Sequence, residues 1–365
     1  MLALDEGTSM EERMRRVMQR AERGRRGLPA PQVWVRAGDR EFTWGDRKQR
    51  FHTASVGKMM TATRVLQLVE QGRLALDAPL TSLLPAVEIA GLFVLDGVDR
   101  AAEVTPLQLL RHMSGVADYF EGRSSAPVRF PGLIVAEPDR VWTSSDLLDY
   151  SRQFQRAVGA PGERFSYSDT GYVLLGRILE EAGSASLGIQ LHEGVFAPAG
   201  MDASCLLFHT MPGGGPSVAE PAAQLDIAPL WVGKNEISRA AALSCDWAGG
   251  GVVSTVDDLV AFTRAWTSGA LIGDASRAVM GDAPQRFRPG IRYGAGAMRL
   301  RYGGFSPFLA GMPSPVGHIG VTSTHLFVFP ERDLHIAMNF HSTREMLRSF
   351  RTHIELVRIA LKSSR

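Results

Sequence analysis

The sequence predicts an α+β fold in which both ends of the chain build one layer of strands and helices around a mainly helical insertion. Strand-like runs follow the first helix, helical patterns fill the middle, and strand-like runs return in the last third. Early strands need partners to be stable, so the late strands are expected to complete their sheet. We expect residues 1–75 and 252–365 to form an αβ sheet subdomain and residues 76–251 to form a mainly helical subdomain.

The N-terminal elements have clear local signals. Apolar residues at helical spacing predict a first helix that ends near Gly24. Three β-rich runs follow, separated by Gly-Asp turn signals, and they predict an antiparallel meander: PQVWVRAG, REFTWGD and QRFHTA. From Ser55 to Gln71 the apolar period becomes helical, and Gly72 is a helix stop.

The middle of the chain alternates helices with two long irregular stretches. The segments TPLQLLRHMSG and SSDLLDYSRQFQRAVG begin with residues that favour helix starts. Further helices are expected over 169–182, 186–196, 255–267 and, at the C-terminal end, 343–361. The stretches 117–143 and 203–248 are long enough that we expect them to be walls of a binding site. Strands are expected in GAGAMRLRY, VGHIGVTSTHLFVFP and LHIAMNF.

Composition excludes several classes of protein. With 45% hydrophobic and 21% charged residues the chain is typical of a globular protein, and it has no apolar run long enough to span a bilayer. A net charge of +2, with arginines interleaved among acids, argues against nucleic acid as a partner. The N-terminal segment has no apolar core of a secretory signal and the chain has only two cysteines, so we expect a cytoplasmic protein.

One lysine stands out because lysine is scarce. Lys58 is one of four lysines, and it lies three residues after Ser55 in an apolar helix. Residues three apart share a helix face, so the Ser55 hydroxyl and the Lys58 amine can meet. The residues on either side of Lys58 supply no carboxylate, so we expect a buried, unpaired amine that can accept the serine proton. Alone, this S-x-x-K pattern is also compatible with a surface serine and a lysine whose stem lies on apolar surface.

Five ordered segments extend that pattern: SVGKMMTATRVLQLVEQGRLALDAPL, VTPLQLLRHMSGVADY, PGERFSYSDTGYVLLGRILEEAG, AGGGVVSTVDDLVAF and GHIGVTSTHLFVFPERDLHIAMNF. Together they resemble the serine β-lactamase and penicillin-binding-protein-like superfamily over roughly residues 30–345. The most similar branch contains class C β-lactamases, family VIII esterases, D-peptidases and transacylases. The resemblance implies an α/β sandwich, with a central antiparallel sheet flanked by helices, a helical subdomain, and the active site in the cleft between them.

The resemblance also implies roles for single residues. Ser55 and Lys58 match the nucleophile and lysine of the S-x-x-K motif, and Tyr167 matches the tyrosine of the family's Y-x-N element. Tyr167 directly precedes the predicted helix at 169–182, where a phenol could exchange protons with Ser55 if Lys58 favoured its ionised form.

The third family motif maps to His318-Ile319-Gly320. His318 stands where many members have lysine, and the backbone N–H groups of Ser55 and Val321 match the donors that bind the oxyanion. Gly320 would let a strand edge approach the substrate closely.

Two departures from the family pattern bear on substrate. Asp169 replaces the amide of Y-x-N and can only accept hydrogen bonds, which favours a substrate with a hydroxyl or amine at that place. His318 in place of lysine removes a permanent cation, so binding of a substrate carboxylate has less support. A penicillinase assignment is correspondingly weak.

Aromatic residues in or near the loop-rich stretches are the candidates for an apolar pocket wall. These are Tyr119, Phe120, Trp142, Trp231, Trp247 and Phe305. No nucleotide-binding, zinc-helix or G-x-S-x-G motif occurs, and no metal or organic cofactor is implied. Asp246 is interpreted as a turn acid.

We therefore expect a serine hydrolase that forms an acyl-enzyme on a small ester or amide. One alternative is an acyltransferase or cyclising thioesterase of a biosynthetic pathway, and another is a D-amino-acid peptidase or β-lactamase. A non-catalytic binding module with the same fold is the alternative outside enzymes. The expected partner is a small ester, amide or thioester, with no nucleic acid and no membrane; the sequence does not indicate substrate identity or oligomeric state.

Overall fold

A computed structural model describes residues 9–25, 27–218 and 220–363. Its strands, in chain order, are β1 Gln32–Ala37, β2 Arg40–Trp44, β3 Phe51–His52, β4 Val94–Leu95, β5 Val98–Asp99, β6 Cys205–Leu206, β7 Trp231–Val232, β8 Asn235–Glu236, β9 Val252–Ser254, β10 Gln285–Arg288, β11 Ile291–Tyr293, β12 Met298–Leu300, β13 Val316–Gly320, β14 Thr324–Phe329 and β15 Leu334–Asn339. Eight of them form one antiparallel sheet in the order β10-β11-β12-β13-β14-β15-β1-β2.

The helices cover both faces of this sheet and fill the middle of the chain. In chain order they are α1 Met10–Glu22, α2 Gly57–Glu70, α3 Ala86–Ile89, α4 Pro106–Leu110, α5 Phe130–Ala136, α6 Ser144–Phe154, α7 Asp169–Gly183, α8 Leu187–Leu191, α9 Ala197–Ala199, α10 Pro221–Gln224, α11 Trp247–Gly250, α12 Val256–Ser268, α13 Asp274–Gly281 and α14 Met346–Ser363. A π-helical turn, His192–Phe196, links α8 to α9.

The two ends of the chain complete each other, as the order of elements predicted. Strand β1 pairs antiparallel with β15 over its whole length, from Gln32 opposite Asn339 to Ala37 opposite Leu334. An isolated N-terminal hairpin would be marginal in water, so this pairing supplies the partners that β1 and β2 need. The predicted fold, an antiparallel sheet flanked by helices, is confirmed.

Alternation along the strands divides the apolar side chains between two cores. Val33 and Val35 pack in the core that α1 and α14 cover, whereas Trp34 packs on the opposite face, in the larger core with α2 and α12. The large core also contains the buried residues of α7, so helix and sheet residues around Ser55 share one packed interior. The division into two subdomains stays a prediction.

Two strand predictions need correction. The run QRFHTA does not join the N-terminal meander: Phe51 and His52 pair with β9, in a small sheet that also contains β6. Both residues are buried, so this strand needs an environment that is packed on both faces, whereas β2 is the edge of the large sheet. The hairpin of β10 and β11 was not predicted, because its strands of four and three residues are too short for their alternation of polar and apolar residues to be a clear signal.

A buried ion pair ties the N-terminal segment to the C-terminal helix. The Arg25 side chain is 3% exposed, its Nε lies 3.0 Å from Glu345 Oε2, and its guanidinium also donates to the Phe340 carbonyl at 2.6 Å. Arg348 contacts the same carboxylate at 2.9 Å.

Replacing Arg25 by alanine should therefore destabilise the protein by about 3 kcal/mol, near the low end for a broken buried pair because Arg348 still contacts Glu345. Arg20→Ala is the matched control, since Arg20 pairs with Glu355 at 56% and 47% side-chain exposure. The control should lose about 1 kcal/mol or less. Urea denaturation measures both, and equal losses would contradict a structural role for the Arg25 pair.

Candidate active site

Ser55 lies in a tight turn that joins β3 to α2. The turn is a single 3₁₀ segment, Ala54–Val56, and helix α2 begins at Gly57, two residues later than the sequence predicted. Ala54 has a φ of 47°, a left-handed conformation that is unfavourable for alanine. Such strain persists only where packing holds it, and it is concentrated at functional sites.

Lys58 reaches the serine from the first turn of α2. Its Nζ lies 3.4 Å from Ser55 Oγ and donates to the Gly249 carbonyl at 2.9 Å. The side chain is 1% exposed, and Nζ lies 5.1 Å from the ring centroid of Tyr167. The structure thus brings together Ser55, Lys58 and Tyr167.

The expectation that Lys58 is unpaired is wrong. Its Nζ contacts the carboxylate of Asp169, the first residue of α7. The partner comes from a point 111 residues further along the chain, so residues next to Lys58 in sequence could not reveal it. A buried ammonium needs such a partner, because an isolated charge in the interior is costly.

Gly249 makes room for this ion pair. A Cβ at this position would lie 2.9 Å from Asp169 Oδ1 and 3.2 Å from Lys58 Nζ. Any side chain would therefore push the carboxylate and the amine apart, so the glycine is needed for the close approach of α11 to α2 and α7. Sequence reasoning missed Gly249, although it lies in the AGGG segment that carried the family resemblance.

Tyr167 is a neutral phenol in this site. Burial, followed by the charge of Asp169, raises its pKa well above the ordinary value, and the side-chain hydrogen bond with Ser55 only partly offsets this. The condition set in the sequence analysis, that Lys58 favours the ionised phenol, is therefore not met. The ring is held between His112, at a centroid distance of 4.2 Å, and Phe287, at 5.4 Å.

Two further carboxyl groups crowd around Asp169. Burial, and next the charge of Asp169, raise the pKa of Asp118 from 3.8 to about 7 and the pKa of Asp246 from 3.8 to about 7. The Asp118 carboxyl group accepts a hydrogen bond from the backbone N–H of Asp169 at 3.0 Å and so orients the start of α7. The site therefore holds three carboxyl groups beside one ammonium, and it favours retention of extra protons. Sequence reasoning had assigned Asp246 to a turn and had not singled out Asp118.

His318 lies behind the cavity and does not line it. It is fully buried, with Nδ1 2.9 Å from the Ile319 carbonyl and Nε2 2.9 Å from the Tyr293 hydroxyl. The carbonyl can only accept, so Nδ1 carries the hydrogen and Tyr293 donates to Nε2. Burial, and then the charge of Lys58, lower the pKa of His318 to about 3. His318 is therefore uncharged, and it supports β13 through Tyr293.

The other two residues of the third motif are placed beside Ser55. A Cβ on Gly320 would lie 2.7 Å from the Thr53 carbonyl, so the glycine lets β13 approach the Ser55 turn. Strand β13 pairs with β12 only through Val316 and Gly317, which leaves the edge of residues 318–320 open on that side. Val321 is 40% exposed and lines the cavity that contains Ser55.

The Ser55 cavity has a volume of about 830 Å³ and a largely aliphatic wall. Both loop-rich stretches contribute to it, as predicted, and the sheet side completes it. The apolar lining residues include Phe120, Ile134, Leu230, Val232, Ile237, Leu243, Phe287, Ile291, Met298, Met346 and Phe350.

Five of the six aromatic residues expected in the wall lie elsewhere, and only Phe120 lines the cavity. Tyr119 is buried with its hydroxyl donating to the Cys245 carbonyl at 2.6 Å, and Trp142 and Trp247 are buried in the large core. Trp231 belongs to the β7–β8 hairpin, and Phe305 packs against Phe350 at 5.5 Å. Large aromatic rings gain much from burial, and Tyr119, Trp142 and Trp247 take core positions, whereas the rings that line the cavity include Phe120, Phe287 and Phe350.

Within the ranges that the structure describes, no helix is long and apolar enough to cross a membrane. In the same part of the chain, no group of three His, Cys, Asp or Glu side chains is arranged to hold a metal ion.

The crowded carboxyl groups make stability depend on pH. A folded-state pKa of about 7 for Asp246, against an ordinary 3.8, means that the folded protein binds a proton which the unfolded chain releases. The free energy of unfolding should therefore fall as pH rises from about 4 to about 7, by up to about 1.4 kcal/mol per pH unit for each such group.

In Asp246→Asn this group no longer titrates. The free energy of unfolding should therefore fall less steeply with pH, by up to about 1.4 kcal/mol per pH unit less than in wild type. Asp274→Asn, at a carboxylate 93% exposed, is the control and should keep the wild-type slope. Urea denaturation at a series of pH values measures the effect. A wild-type slope in Asp246→Asn would show that Asp246 is ionised across this range.

Comparison with known proteins places the chain in a family. A family model described as Beta-lactamase matches residues 14–360. Over 163 residues, the chain is 32% identical to penicillin-binding protein 4 of Amycolatopsis lactamdurans, a match that covers 43% of this chain and 36% of that protein. Over 178 residues it is 28% identical to lovastatin esterase of Penicillium rubens, covering 45% of this chain and 42% of that protein. The chain thus spans well under half the length of these curated relatives.

A solved structure extends the match to almost the whole chain. The D-stereospecific amidohydrolase from a Streptomyces species superposes with a TM-score of 0.75 at 24% identity, over 93% of this chain and 97% of that one. This likeness shows the fold, which agrees with the eight-stranded sheet and the helices around it. With the family model matched from α1 to α14, the chain belongs to the beta-lactamase family.

Proposed function

We propose that this protein is a serine hydrolase that forms an acyl-enzyme through Ser55 on a small ester or amide. The observation that carries the proposal is the 3.4 Å approach of the buried Lys58 Nζ to Ser55 Oγ, at a cavity of about 830 Å³. A serine hydroxyl attacks a carbonyl only when a neighbouring group takes its proton, and Lys58 and Tyr167 are the groups within reach.

The contact between Lys58 and Asp169 defines the proton path. As an ammonium, Lys58 cannot accept the Ser55 proton until it gives one of its own away. Asp169 is in contact with it and can accept that proton. In this scheme one proton passes from Lys58 to Asp169 and the Ser55 proton passes to Lys58 as the Oγ–carbon bond forms.

The oxyanion would be bound by backbone donors. The N–H groups of Ser55 and Val321 are the candidates, because Val321 lines the same cavity and the β13 edge before it is open. Tyr167 remains neutral, so it would donate a proton to the leaving group and recover one from the attacking water.

The cavity and the relatives support a small, partly apolar substrate. The wall is largely aliphatic, which suits an apolar acyl or alcohol group. One relative is named an esterase and one structural neighbour an amidohydrolase, which agrees with an ester or amide as substrate. A β-lactam or D-peptide has less support, because His318 is buried and uncharged and so offers no cation for a substrate carboxylate.

The apolar wall also favours a second candidate reaction. A cavity that excludes water could pass the acyl group to an alcohol or amine, as in an acyltransferase or cyclising thioesterase. Product analysis with an added acceptor separates transfer from hydrolysis. We also propose a cytoplasmic location, for which the support is that Cys205 and Cys245 are both free, buried thiols.

A fluorophosphonate probe should label the wild-type protein on Ser55 and should not label Ser55→Ala. Lys58→Met should be labelled at least about 100-fold more slowly, because the serine then lacks its proton acceptor. Ser82→Ala is the control, since Ser82 is an exposed serine that donates only to the Pro79 carbonyl. Peptide mass mapping locates the label. Unlabelled wild type would indicate a non-catalytic module with this fold.

Asp169→Asn tests the proton path. An amide cannot take the Lys58 proton, so kcat/KM should fall by about 100-fold or more on both members of a matched ester and amide pair. Unchanged or increased activity would show that Lys58 reaches its neutral form without Asp169. The ratio of ester to amide turnover tests a separate point: an unchanged ratio discards the idea that the carboxylate selects the substrate.

A further inference from the structure

A second groove lies on the face of the large sheet that α12 and α13 cover. Its volume is about 1210 Å³, and it shares no lining residue with the Ser55 cavity. Its walls come from the ends of α12 and α13, from β11 and β12, and from the turn between β14 and β15. The proposed hydrolase assigns no role to it.

Arginines lie in register across three neighbouring strands beside this groove. Arg286 on β10 is opposite Arg292 on β11, and Arg292 is opposite Arg299 on β12. Like charges directly opposite each other destabilise a sheet, so this row needs compensation. The same row continues across the sheet through Val316, Val328 and His335.

Nearby carboxylates supply only part of that compensation. Two acids that line the groove are paired with arginines outside it: Asp282 with Arg111 at 3.2 Å, and Asp333 with Arg36 at 3.2 Å. The remaining acid in the lining is Glu331.

Four lining arginines have no carboxylate within ion-pair distance anywhere in residues 9–25, 27–218 and 220–363. They are Arg292, Arg299, Arg301 and Arg332.

Backbone carbonyls fix two of these guanidinium groups in place. Arg299 Nε donates to the Gly281 carbonyl at 3.1 Å, and Arg292 Nε donates to the Ala283 carbonyl at 2.8 Å. A guanidinium has five N–H donors, so both groups keep donors for a ligand while their orientation is set. Burial, and then the charge of Arg301, lower the pKa of Arg299, and the charges of Glu331 and Asp282 only partly offset this.

His335 is an independent sign of a missing partner in the groove. It lines the groove and is 7% exposed, yet its Nδ1 is buried without a hydrogen-bond partner. Its Nε2 lies 3.5 Å from Asp333 Oδ1. Buried polar atoms are nearly always paired, so the imidazole has one unused hydrogen-bonding position beside the arginines.

We propose that this groove binds a small molecule through a diphosphate-type group. Of the charged groups that line the groove, four guanidinium groups and one carboxylate, that of Glu331, are outside ion pairs. This excess of positive charge calls for a ligand with several negative charges. Phosphate oxygens match the forked geometry of guanidinium, which binds them in pairs of parallel hydrogen bonds. A single carboxylate would leave most of the positive charge uncompensated. Inorganic pyrophosphate and organic diphosphates share the chemistry.

Isothermal titration calorimetry of the full chain with pyrophosphate, at neutral pH and constant ionic strength, tests the proposal. Wild type should bind, and Arg299→Gln/Arg301→Gln should bind at least about tenfold more weakly, because neutral amides replace two guanidinium groups that make charge-assisted hydrogen bonds. Arg358→Gln/Arg351→Gln is the matched control. It removes two exposed arginines from α14, which packs against α1 on the other face, and should bind within about twofold of wild type because direct contacts dominate the affinity.

Three results would overturn the proposal: no heat of binding with wild type, an equal loss in the control, or equal binding of sulfate at the same ionic strength. Thermal unfolding without ligand verifies that each variant is folded. If the Arg299→Gln/Arg301→Gln variant is unfolded, the Arg301→Gln/Arg332→Gln variant is titrated in its place, because Arg301 and Arg332 are both exposed. Titration with ADP distinguishes the sources: tighter binding than pyrophosphate indicates an organic diphosphate, and weaker or equal binding indicates the inorganic anion.

Discussion

The contact between the Lys58 ammonium and the Asp169 carboxylate is the interaction on which the site depends. Both groups are largely removed from water, with side-chain exposures of 1% and 16%. Neither charge would be stable there alone, because burying an unpaired charge costs a large free energy. The pair therefore requires that α2 and α7 meet at their first turns, and Gly249 gives them the space.

That constraint also determines which chemistry the site can perform. With a carboxylate in contact, Lys58 cannot act as the free amine that the residues around it in sequence had suggested. The surrounding carboxyl groups affect the charge of the site, because burial and the charge of Asp169 raise the pKa values of Asp118 and Asp246 to about 7. The aspartate in the family's asparagine position contacts Lys58 directly, and this contact is the basis of the proton path that we propose.

Local sequence was sufficient for the long helices and insufficient for the partners of the elements. Helical periods and cap residues located α2, α7 and α12 closely, because those signals are carried by residues within a turn or two of each other. The S-x-x-K spacing placed Ser55 and Lys58 on one face for the same reason. The partner of Lys58 and the paired strand of β3 depend on contacts more than 100 residues apart in sequence, which no local period encodes.

The cavity wall shows a different limit of sequence reasoning. Aromatic residues in loop-rich stretches are reasonable pocket candidates, yet Tyr119, Trp142 and Trp247 went to the core. Composition does not distinguish a core position from a position in the cavity wall, because burial of a large ring is favourable in both. A buried hydrogen-bond partner does not distinguish them either, since the Tyr119 hydroxyl donates to the Cys245 carbonyl whereas the indole nitrogens of Trp142 and Trp247 are buried without a partner among the described residues.

Strands β11 and β12 connect the two cavities of the molecule. Side chains alternate along a strand, so Ile291 and Met298 face the Ser55 cavity while their chain neighbours Arg292 and Arg299 face the arginine-lined groove. The arginine row and the sheet-side wall of the Ser55 cavity therefore depend on the backbone positions of the same two strands.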